Sequence, residues 1–180
     1  MIQKLRVKFI TASMLSLALV LLVILGGVNA MSYQKVVRDA DRILALLSEN
    51  RGVFPQQTPP DDRGGKPGPI PVLGHGISPE TPFESRFFSV LLNEKGQVLQ
   101  SDTGQIAAVD DQSAGEMAQA VWSSGNASGF QGDYRYIRAA EAEGTRFIFV
   151  DCGRSLSNFR TTLIASVLVA LAGLLAVLMA

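Results

Sequence analysis

Two long stretches of the chain carry no charge at all: Phe9 to Gln34 and Thr161 to Ala180. A helix rises 1.5 Å per residue, so about 20 apolar residues cross a hydrocarbon core of about 30 Å. Both stretches reach that length. Beyond the first, Val36, Val37, Ala40, Ile43, Leu44 and Leu47 recur at i, i+3, i+4 and i+7. That period predicts a helix over 32–50 continuing out of the apolar run, with Gly52 as its stop. Lys35 and Asp39, four apart, can pair across one turn. All eight prolines then lie between Pro55 and Pro82, among several glycines. Proline removes a backbone donor and glycine loses entropy when ordered, so a long flexible loop is expected over 52–82, with neither helix nor strand.

The pattern next shifts to period two. Arg86–Leu92 (RFFSVLL) predicts a strand, Asn93-Glu94-Lys95-Gly96 a hairpin turn, and 97–102 the returning strand. Asp110 or Asp111 can cap a helix running to about Trp122, with Ala114, Met117, Ala118, Val121 and Trp122 on its apolar face. Gly129–Arg138 reads as a further strand with Phe130, Tyr134 and Tyr136 on one face. Glu141-Ala142-Glu143-Gly144 reads as a turn, and Thr145–Asp151 as the last strand. Ser155 can cap a helix that enters the second apolar run. The expected fold class is α+β: a small antiparallel sheet of four strands with a helix on one face, flanked by two transmembrane helices with long juxtamembrane extensions.

Charge adds an orientation. The 180 residues are neutral overall, with 16 basic and 16 acidic side chains, which argues against a nucleic-acid partner. The distribution is uneven. Lys4, Arg6 and Lys8 precede the first apolar run with no acid, whereas the other 13 basic residues share the middle with all 16 acids, net −3. Positive flanks stay in the cytoplasm. The expected layout is therefore 1–8 cytoplasmic, 9–30 transmembrane, 31–160 extracytoplasmic and 161–180 transmembrane. Val28-Asn29-Ala30 has the small residues of a signal-peptidase site, and Gly26-Gly27 could break the helix before it. A signal h-region is about 7–15 residues, however, and this run is nearer twenty, so an uncleaved anchor is expected. The second run ends at Ala180 without the usual basic flank, which reads as the front piece of a longer chain.

A basic N-terminus, a membrane helix, an outer α+β domain and a second membrane helix resemble the front half of a bacterial two-component sensor histidine kinase with a PAS-like or Cache-like domain. RFFSVLLNEKGQVLQSD is similar to that family's central hairpin, and GDYRYIR with GTRFIFVDCGRSL to its last hairpin. The resemblance implies a receptor module that is a parallel homodimer in membrane lipid and reaches a cytoplasmic response regulator through a kinase region. ATP and Mg would belong to that region, so no cofactor is expected in this chain. No phospho-accepting helix or nucleotide box is present, and the lone His75 lies in Gly-His-Gly-Ile-Ser, so no catalytic residue carries over. Chemoreceptors and diguanylate cyclases use similar sensors.

Other functional classes stay open. A stand-alone two-pass protein whose outer domain binds a partner fits the same pattern. An outer enzyme fits less well, because no nucleophile–base pair, P-loop or metal-ligand set is recognisable. One cysteine and one histidine exclude an intrachain disulfide and a zinc cluster built from this chain alone. The residues singled out for ligand binding are Tyr134, Arg135, Tyr136 and Arg138, with Asp102 and Asp151 near them in the hairpins. His75 reads as a solvated loop residue, and Cys152 as a small core residue that a parallel dimer could alternatively juxtapose.

Overall fold

The computed structural model describes residues 2–55, 78 and 80–179. His75 and most of the expected 52–82 loop lie outside the described residues. The elements are α1 (Ile2–Glu49), α2 (Thr81–Glu84), β1 (Phe87–Leu92), β2 (Val98–Asp102), α3 (Asp111–Ser124), β3 (Ser128–Gln131), β4 (Tyr134–Glu141), β5 (Gly144–Asp151) and α4 (Gly153–Met179). The chain divides into two compact units, Met1–Val36 with Arg154–Ala180, and Val37–Gly153.

In the first unit, α1 and α4 are each long and apolar enough to cross a membrane. Gly26 and Gly27 do not interrupt α1, which is one helix through the apolar run and the period that follows it. Half-buried positions on α1 fall at Met14, Ala18, Leu21, Leu25 and Asn29, a spacing of three and four that forms one stripe. Leu21 and Leu25 line an apolar groove of about 550 Å³ with Ala165, Val169 and Gly173 of α4. The rings of Tyr33 and Phe159 meet at 5.8 Å.

The second unit is an antiparallel five-stranded sheet in the order β2-β1-β5-β4-β3. The sheet has one strand more than the pattern suggested. Gly129–Arg138 is a hairpin, because Gly132, at φ +61°, turns the chain between β3 and β4. The turn also separates the aromatic residues. Phe130 pairs with Arg135, so it lies on the face opposite Tyr134 and Tyr136. Two further expectations shift by a few residues. Asp39 pairs with Arg42 at 3.7 Å rather than with Lys35. The first turn of α4 is held by Asp151, whose Oδ1 accepts the Gly153 N–H at 2.7 Å, and not by Ser155. Inside the stretch expected to hold no helix, α2 forms one turn with Pro82 in its first turn, where a missing N–H costs nothing.

Both faces of the sheet are covered. On the first, Phe88, Val90 and Leu92 of β1 and Phe147 and Phe149 of β5 pack beneath Ala114, Ala118 and Val121 of α3. Phe88 stacks on Phe149 at 4.6 Å between centroids. The helix is fixed at both ends as expected. Asp110 Oδ1 accepts the Ser113 N–H at 2.8 Å, and Gly125 closes it in the left-handed region. On the second face, Phe87, Ile148 and Val150 pack beneath Leu44 and Leu47 of α1. The helix ends at Glu49 and is closed by Gly52, which takes φ +82° and donates to Leu47 O at 2.7 Å. Strands β1 and β5 are thus buried on both sides, which is why apolar residues run along both of their faces, interrupted by the buried Ser89 and Arg146.

Candidate functional site

The alternation of the strand decides what the four singled-out residues can do together. Tyr134, Tyr136 and Arg138 share the face beneath α3, and Arg135 lies on the other, so no single pocket receives all four side chains. Tyr136 is buried against Phe149, and a Cβ on Gly129 would sit 2.8 Å from its hydroxyl. Tyr134 meets the edge of Phe88 at 5.5 Å. Burial, and then the negative charge of Asp151, push its phenol up from the ordinary 10.0. Arg138 is exposed, 6.0 Å from the Phe147 centroid. These side chains cover the sheet.

Arg135 has a different role. Its guanidinium makes two contacts to Asp41 of α1, at 2.8 and 3.3 Å, and lies 5.0 Å from the centre of Phe130. This ion pair joins α1 to β4 across 94 residues of sequence. A second pair lies where β5 ends. Arg86 reaches Asp151 at 2.7 Å, and the other oxygen of Asp151 holds the first turn of α4. Between them Cys152 is buried, its N–H donating to Asp133 O at 2.9 Å. Burial pushes its thiol up from the ordinary 9.0, so it stays protonated and unreactive at neutral pH.

A cleft of about 580 Å³ opens beside the second face, where α1 ends. Its apolar wall is Val53, Phe54, Phe83 and Phe87, and its polar lining includes Asp102 and Gln105. The rings of Phe54 and Phe87 meet edge to face at 5.3 Å. Asp102 reaches this side because it pairs with Ser89, whose side chain faces Gly52 and Arg146. The size is in the range of small-molecule sites. The sequence pattern groups Asp102 with the β4 residues, whereas its pairing with Ser89 puts it at this cleft. The aromatic partners Phe54 and Phe83 carry no periodic signal, because they stand in an irregular segment and a one-turn helix. Among the described residues no group of three or more His, Cys, Asp or Glu side chains is placed to hold a metal ion.

Family models, curated proteins and solved structures contain no match to this chain. The functional reading therefore rests on the geometry and on the pattern of the sequence.

Proposed function

We propose that the chain is the signal-sensing and transmembrane signalling module of a two-component sensor histidine kinase, its outer domain PAS-like. The observation that carries this reading is connectivity. The central strand β5 passes into the membrane-length helix α4 with only Cys152 between them, and α1, which contains the other apolar run, is the helix whose last turns roof the sheet. A rearrangement of the sheet thus has a covalent route into both apolar helices. An antiparallel sheet layered between helices supports the PAS-like comparison. The cationic N-terminus supports a cytoplasmic start, with 31–160 outside the cell membrane and 161–180 returning. The unbroken course of α1 through Gly26 and Gly27 supports an anchor that is kept. In this reading the partners are membrane lipid, a second copy in parallel and, through a kinase region using ATP and Mg, a response regulator.

Two measurements test it. In a Cys152→Ser background, Glu94→Cys should react with a membrane-impermeant maleimide on intact cells and Leu5→Cys should not; the opposite pattern overturns the topology. The reading frame after codon 180 should continue into a kinase region, and a stop codon there overturns the histidine-kinase assignment.

A further inference from the structure

We infer that the cleft at the end of α1 binds a small organic ammonium ion with an apolar body. The inference deepens the proposed function, since it takes this cleft as the place where a stimulus enters. Three observations converge. First, outside α1 and α4, the large apolar residues exposed among the described ones are Val53, Phe83, Val98 and Leu99, and the first two line the cleft. Phe83 is 83% exposed and Val53 52%, so two exposed apolar side chains share one cleft. Second, three aromatic residues, Phe54, Phe83 and Phe87, line the same space. An aromatic face carries negative quadrupole charge and attracts a cation within about 6 Å of its centre.

Third, the charge of the lining has one sign. Asp102 is its single ionisable residue among those described. Asp102 Oδ1 accepts the Gly104 N–H at 3.2 Å, and the ion pairs of the described residues all lie elsewhere. Nearby, Glu80 and Glu84 on and beside α2 are exposed and add negative potential; Arg51 is exposed and outside the lining, and Arg146, beside Gly52 and Ser89, is buried with its charge held by both oxygens of Glu141. An anion would meet an unpaired carboxylate, and a neutral apolar ligand would strip water from it without compensation. An ammonium group satisfies the carboxylate while its apolar body covers Val53 and the rings.

The test uses the full chain in phosphatidylcholine nanodiscs and two probes of similar shape and opposite charge, 2-phenylethylammonium and 3-phenylpropionate, followed by calorimetric titration. The ammonium probe should bind and the carboxylate should not. Asp102→Asn should weaken ammonium binding about tenfold, and Phe83→Ala about three- to fivefold. Both positions are exposed, so neither variant should move the unfolding midpoint of the unliganded protein. Equal binding of the two probes, unchanged affinity in Asp102→Asn, or no heat from the ammonium probe at millimolar concentration would overturn the inference. With the topology as expected, such a failure discards the ligand class and leaves the signalling module. An inverted topology with intact ammonium binding discards the module and leaves the cleft.

Discussion

Arg146 is the most buried charge among the described residues, at 7% exposure on β5. Its guanidinium bonds both oxygens of Glu141 and the hydroxyl of Ser89. Breaking such a pair from one side leaves an uncompensated charge, and the penalty depends on which partner stays behind. Glu141 is more exposed, at 20%. Glu141→Ala, which strands the arginine, should therefore cost about 3 kcal/mol, and Arg146→Met, which leaves a hydratable carboxylate, distinctly less. Urea unfolding followed by Trp122 fluorescence, the single tryptophan of the chain, measures both. The titrating side chains give a second prediction. Cys152 and Tyr134 have raised pKa values in the fold. The native state holds these protons longer than the unfolded chain does. Their contribution is complete below the unfolded values of 9.0 and 10.0 and is lost as pH rises through the higher folded values. The unfolding midpoint should fall as pH climbs above about 9, and a Cys152→Ala, Tyr134→Phe double variant should fall less steeply.

At the scale of elements, turns and caps carry information that the helix and strand periods do not. The β4–β5 hairpin turns on Ala142 and Glu143, with Gly144 at φ +154° paired to Glu141. A Cβ on Gly144 would fall 2.1 Å from the Leu92 carbonyl oxygen of the neighbouring strand. Gly144→Ala should accordingly destabilise the domain by about 3 kcal/mol or more, read as the loss of midpoint in the same fluorescence assay. Asp110 makes a gentler case. Its carboxyl is held below the ordinary 3.8 by hydrogen bonds from Ser113, so its contribution is complete above that pH and is lost as pH falls through the lower folded value. Asp110→Ala should lower the midpoint at pH 7, and the difference from wild type should shrink as the carboxyl is protonated at acid pH.

At the scale of the whole domain, the pair Asp41–Arg135 links residues 94 apart. Asp41 is 45% exposed, so solvent screens the attraction and the pair is worth about 1 kcal/mol or less. Asp41→Asn should lower the stability of the outer domain by that order, and the difference should shrink in 1 M salt. Hydrogen exchange in 37–49 should rise modestly at the same time, because this pair adds to the packing of Leu44 and Leu47 that holds the end of α1 on the sheet. A loss of stability without faster exchange there would mean that apolar packing alone seats the helix.

The local patterns were legible in the sequence wherever one physical period ran uninterrupted. The two apolar runs, the helix closed by Gly52, the hairpin at Asn93–Gly96 and the face of α3 all follow from spacing and turn chemistry that neighbouring residues settle among themselves. The expected strand over Gly129–Arg138 failed at one residue. Glycine accepts extended and left-handed backbone alike, so Gly132 does not announce which it will take. What only the tertiary structure decided are the relations between distant segments. They include the order of the strands, the division of Tyr134 and Arg135 onto opposite faces, the partners of Asp41 and Arg146, and the gathering of Phe54, Phe83, Phe87 and Asp102 around one cleft. Each depends on which strands pair and in what register, and that choice is made by burying two apolar faces at once, a condition on the whole domain that no local window contains.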